Sequence, residues 1–133
     1  MDRRAGTQKV NLFIIGGQVR KMLVIDNEAD ICDFLERFFS ERDFFVIAVR
    51  DEQEGLKIFQ KEIFDVVVMN INSERLEGFE TLKKMLEIND KVNMIVLSNE
   101  DSQEKVDKVY SLGASRYISK PLVLDELETA VMR

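Results

Sequence analysis

The sequence predicts an α/β protein, an open parallel sheet with helices on both faces. Three observations carry that class. The strongest apolar runs are short, rich in Val and Ile, and not alternating, as in strands covered on both sides. Between them lie apolar stripes at helical spacing. Strand and helix alternate five times along a chain of 133 residues, a length that suits one domain rather than two.

Each element follows from its own pattern. "MLVI" (Met22–Ile25) is strand one, and Ile31, Phe34, Leu35 and Phe38, at i, i+3, i+4 and i+7, share one face of the helix after it. "FFVIAV" (Phe44–Val49) is strand two, followed by the stripe Leu56, Phe59, Ile63. "VVVM" (Val66–Met69) is strand three, followed by Phe79, Leu82 and Leu86. "MIVL" (Met94–Leu97) is strand four, and Val106, Val109 and Tyr110 mark the next helix. Gly113 falls where that helix end needs a left-handed residue, and "SNEDSQE" offers it an N-terminal cap. A weaker fifth strand, "RYI" (Arg116–Ile118), precedes a last stripe of Leu124, Leu127 and Val131. Cys32 reads as a small apolar core residue.

Residues 1–19 stand outside this alternation as an N-terminal extension, with the domain over residues 20–133. "KVNLFII" is expected either as one extra strand ending in a Gly16-Gly17 turn or as a leader or engineered remnant. The two glycines do not complete the fingerprint of a dinucleotide site, which argues against a flavodoxin-like cofactor binder.

Composition narrows the function. The net charge is -6, from 19 Lys+Arg against 25 Asp+Glu, which argues against nucleic-acid binding by this domain. The chain has no histidine, so histidine bases, metal ligands and phosphohistidine are excluded. Its single cysteine allows no internal disulfide and no zinc cluster. No apolar run approaches the roughly 18 residues of a membrane span. A cytoplasmic protein is the expectation.

Ligands of open parallel sheets bind at the carboxyl ends of the strands. Those ends carry Asp26, Asn27 and Glu28 after strand one, Asn70 after strand three, Ser98 to Asp101 after strand four, and Ser119, Lys120 and Pro121 after strand five. One face of the sheet therefore collects a carboxylate, amides, a hydroxyl and an ammonium group.

At these positions the sequence resembles the receiver domains of bacterial response regulators, the CheY-like family of two-component signalling. The matching pieces are "MLVIDNEADI", "FDVVVMNIN", the glycine of "LEGFE", "MIVLS" and "LGASRYISKP", spread in order over Lys21 to Arg133. The resemblance implies a flavodoxin-like five-stranded parallel sheet of order 2-1-3-4-5 flanked by five helices. It also implies a phosphorylation site. The acidic pair after strand one falls on Asp26 and Asn27, the phosphoacceptor on Asn70, and a metal-binding carbonyl on Asn72. The phosphoryl-binding hydroxyl falls on Ser98, the lysine on Lys120 before Pro121 (after a cis peptide in relatives), and the switch aromatic on Tyr117.

Two of the three usual acids are thus amides. Asn70 is isosteric with Asp but has no anionic oxygen to attack phosphorus. Mg²⁺ favours carboxylate oxygens, so metal binding at Asp26, Asn27, Asn70 and Asn72 is expected to be weak or absent, with Glu28 as a partial substitute and Mg²⁺ expected only if the acids are restored. No other cofactor is expected. An Asp26–Lys120 ion pair is expected, with amide hydrogen bonds from Asn70 or Asn27 around it. Glu74 and Glu77 lie close enough in sequence to reach the site mouth. The loop "INSERLEG" lacks the Met-Pro-Gly run common in the family.

The expected function is a non-enzymatic, phosphorylation-independent protein-interaction module, a pseudo-receiver. Its expected partners are a sensor kinase, an effector domain or an output protein, with self-association through residues 103–133. The alternative is an ordinary Mg²⁺-dependent receiver carrying an engineered Asp→Asn change at position 70.

Overall fold

The computed structural model describes residues 19–72, 76–100 and 102–133. Five strands and five helices alternate: β1 (Arg20–Ile25), α1 (Ala29–Ser40), β2 (Phe44–Val49), α2 (Glu52–Lys61), β3 (Val66–Asn70), α3 (Leu76–Ile88), β4 (Asn93–Ser98), α4 (Gln103–Ser111), β5 (Arg116–Ser119) and α5 (Leu124–Val131). The strands form one parallel sheet of order β2-β1-β3-β4-β5. The expected fold is therefore the observed one. The strand expected within residues 10–15 lies outside the described residues.

Successive strand side chains point to opposite faces, and both faces are covered. Leu23, Ile25, Val67, Met69, Met94 and Val96 pack on one side against Leu56 and Phe59 of α2 and Phe79, Leu82 and Met85 of α3. Met22, Val24, Val66, Val68, Ile95 and Leu97 pack on the other against Cys32, Leu35 and Phe39 of α1 and Leu127, Ala130 and Val131 of α5. That is why the strands read as unbroken apolar runs.

The helices begin and end where local chemistry allows. Asp51 caps α2 by accepting from the Glu54 amide at 3.2 Å, and Ser102 caps α4 from the Lys105 amide at 3.4 Å. Gly113, just past α4, has φ +111°, as its position predicted.

Three apolar stripes need correction. Phe34 lies on the outer side of α1 and is 45% exposed, because the buried face of that helix is Cys32, Leu35 and Phe39. Ile63 falls beyond the end of α2 and is 81% exposed. Tyr110 is 42% exposed, leaving Val109 as the buried residue of α4.

Candidate functional site

Asp26 follows β1 and is buried. Its Oδ1 accepts from the Glu28 amide at 2.9 Å, a two-residue turn that holds the carboxylate over the strand end. Its Oδ2 faces Lys120 Nζ at 3.4 Å. The predicted ion pair is present, and Lys120 has a second partner, Glu28 Oε2, also at 3.4 Å. Unit charges ~4 Å apart attract by about 4 kcal/mol at an effective dielectric of 20, before desolvation is subtracted. The Glu28 pair is worth far less, since that carboxylate is 57% exposed.

β5 and the turn after it place the lysine. The Lys120 amide donates to the Ser98 carbonyl at 2.8 Å, and a cis Lys120–Pro121 bond follows. Ser98 is buried, and its Oγ accepts from the Glu100 amide at 3.2 Å, closing a turn after β4.

Asn70 is the last residue of β3. Its Oδ1 is buried and has no hydrogen-bond partner. The amide bonding expected around the ion pair is therefore not made by this oxygen. Asn27 contributes its backbone, accepting from Arg50 Nε at 3.2 Å.

Two cavities meet at Asn27, Asn70 and Asn72. One, of about 500 Å³, is further lined by Glu28, Asn99, Glu100 and Lys120. The other, of about 150 Å³, is further lined by Asp26, Arg50, Asp51, Glu52 and Glu77. Glu77 does reach the site mouth, whereas Glu74 lies outside the described residues. Arg50 and Asp51 were missed in the sequence, although their place just after β2 is the same signal that marked the other site residues. Among the described residues no group of three or more acids, cysteines or histidines converges as a metal would require. A single buried carboxylate already paired with an ammonium is a poor donor set for Mg²⁺.

Cys32 lies beneath the site and donates from Sγ to the Asp26 carbonyl at 3.1 Å. Burial, and then the Asp26 charge, push its thiol above the usual cysteine range. It is the buried core residue that the sequence indicated.

Tyr117 of β5 is half-buried and packs against the cluster beneath α2, α3 and α4, with its hydroxyl buried and unpartnered. Its amide donates to the Tyr110 hydroxyl at 3.0 Å. That bond covers an N–H on an edge strand.

The family model "Response regulator receiver domain" matches residues 22–132. The chain belongs to this family. This receiver domain is 32% identical over 114 residues to a probable transcriptional regulator, ycf27, of Porphyridium aerugineum, covering 86% of the chain and 47% of the regulator. It is 25% identical over 113 residues to sporulation initiation phosphotransferase F of Bacillus subtilis, covering 85% and 91% of the two chains. A receiver domain structure from Clostridium thermocellum superposes with a TM-score of 0.78 at 25% identity, covering 86% of this chain and 92% of that one. The receiver domain thus spans less than half the length of the ycf27 regulators it matches, 43% in Guillardia theta and 47% in Porphyridium aerugineum. Among the described residues no helix is long and apolar enough to cross a membrane.

Proposed function

We propose that this receiver domain signals through protein contacts without accepting a phosphoryl group and without Mg²⁺. The observation that carries the reading is Asn70, an amide at the end of β3 whose oxygen is buried beside the strand ends that hold Asp26 and Lys120. Phosphoryl transfer to this position needs an anionic oxygen, and an amide offers none. Lys120 is paired with Asp26, so the buried carboxylate of the pocket already has a cationic partner.

The output surface is α4, β5 and α5. Tyr117 supports this assignment. In the family that the sequence resembles, the switch aromatic turns inward when the site is occupied, and here the ring already packs inward. The surface is thereby set constitutively for a sensor kinase, an effector domain, an output protein or a second copy through residues 103–133. The domain works in the cytoplasm and does not act as an enzyme.

One observation favours a second reading, an ordinary receiver carrying an engineered Asp→Asn change. Asp26, Ser98 and Lys120 lie together at the carboxyl ends of the strands, which supports this reading because the resemblance implies those residue types there. The test is restoration. Asn70→Asp is expected to gain slow, Mg²⁺-dependent acyl phosphate from acetyl phosphate, and Asn27→Asp/Asn70→Asp to gain it faster. Both should melt lower without Mg²⁺, because the added carboxylates repel Asp26. A folded double variant that takes no phosphoryl group would show that Asn70 is not what silences the site, and that the loop 71–78 has diverged as well.

A further inference from the structure

Positive charge gathers at the opposite end of the sheet from Asn70. A groove of about 710 Å³ opens there between the start of β1, the α2–β3 connection and the α3–β4 connection. Arg20, Lys61, Lys91 and Arg133 line it, against two carboxylates, Glu62 and Asp65. Lys21 engages both carboxylates: its ammonium pairs with Glu62, and its amide donates to Asp65 Oδ2 at 2.8 Å. Among the described residues none of the four cations is in an ion pair, and Arg20 lies over the Phe44 ring at 5.1 Å. The excess is local, since the net charge of the chain is -6. We propose that this groove docks an acidic segment of a partner protein, one that carries apolar side chains between its carboxylates.

Helix dipoles account for only one of these cations. A helix end favours positive charge within its last turn, and Lys61 fills that place in α2. The last turns of α3 and α5 hold no basic residue. Lys91 and Arg133 come after those helices have ended at Ile88 and Val131, and Arg20 is on β1. A cleft lined by one sign of charge concentrates the opposite sign and speeds its encounter. The apolar part of the occupant follows from the walls. Ile63 and Ile88 line the groove and are 81% and 47% exposed. A nucleic acid would leave them uncovered, and the negative charge of the chain works against it. A peptide in which acids alternate with apolar residues covers both isoleucines while its carboxylates meet the Lys and Arg heads. Phe59 and Phe64, buried at the base with rings 6.1 Å apart, give the groove a packed floor, so little ordering is required on docking. The inference does not rest on the state of position 70.

Titrating the full chain with a synthetic peptide of repeated Asp-Glu-Leu tests it, read by fluorescence anisotropy and by amide shifts in NMR spectra. The peptide is expected to bind at low salt and to shift the amides of Lys61 to Asp65, Asn89 and Lys91, leaving Asp26 and Lys120 unmoved. Lys61→Glu/Lys91→Glu should weaken binding about tenfold, because two attractions become repulsions. Ile63→Ser/Ile88→Ser should weaken it about threefold through lost apolar burial. All four side chains are exposed, and circular dichroism verifies that each variant is folded. Raising the salt concentration should weaken binding to the unaltered chain. Absence of binding at millimolar peptide would overturn the proposal, and so would an affinity unchanged by Lys61→Glu/Lys91→Glu. Shifts confined to Asp26 and Lys120 would place the peptide at the other end of the sheet. A single-stranded oligonucleotide that binds more tightly than the peptide, with Ile63→Ser/Ile88→Ser having no effect, would replace the acidic protein segment with nucleic acid. Dimerisation of the chain that Lys61→Glu/Lys91→Glu abolishes would assign the groove to a second copy instead.

Discussion

Lys120 holds two carboxylates with one ammonium, and the two are not equivalent. Asp26 is buried and Glu28 is on the surface, so the first pair carries the energetic weight. Removing the lysine strands a buried charge, which costs about 3–5 kcal/mol where no water reaches it. Here the adjoining 150 Å³ cavity admits water, and we expect Lys120→Met to cost about 2–3 kcal/mol in denaturant unfolding. Asp26→Asn in that background should recover most of the loss. If Lys120→Met is as stable as the unaltered chain, the pair is incidental. Asn70 was legible as a site residue because the carboxyl end of a buried strand is where such sheets bind ligands. Its orphaned oxygen was not, since hydrogen-bond satisfaction depends on neighbours from four strands. Glu28 likewise lacked a place until the fold brought Lys120, 92 residues away, against it.

At the scale of elements, strands were the most legible feature, because a run buried on both faces leaves an unbroken apolar signature. Helix faces were less so. Periodicity located α1 but included Phe34 on a face that is buried through Cys32, Leu35 and Phe39, because a cysteine weighs less than a phenylalanine in an apolar pattern. The stripe through Ile63 continued a period that α2 abandons at Lys61. The packing of α2 on β1 rests on a detail no pattern shows. A Cβ on Gly55 would stand 2.5 Å from Ile25 Cδ1 and 2.8 Å from Ile25 Cγ1. Gly→Ala improves helix propensity by about 1 kcal/mol, and overpacking costs about 1–3 kcal/mol. We expect the contact to win, with Gly55→Ala destabilising by about 1 kcal/mol in thermal unfolding. A raised melting temperature would show that Ile25 moves aside freely.

The whole molecule is a receiver fold whose two sheet ends differ. The carboxyl ends of the strands hold the pocket in which Lys120 faces Asp26 and Glu28, and the amino ends border a groove with Phe59 and Phe64 among a mostly polar and charged lining. The central proposal is that this pocket is not switched by a phosphoryl group, because Asn70 puts an amide where the resemblance implies the acceptor carboxylate. The most direct measurement is the intact mass of the unaltered 133-residue chain after incubation with acetyl phosphate and Mg²⁺. The account predicts no added mass over hours, under conditions in which Asn70→Asp gains one phosphoryl group. A single phosphoryl adduct on the unaltered chain, persisting when Ser98 and Tyr117 are replaced by Ala and Phe, would contradict it.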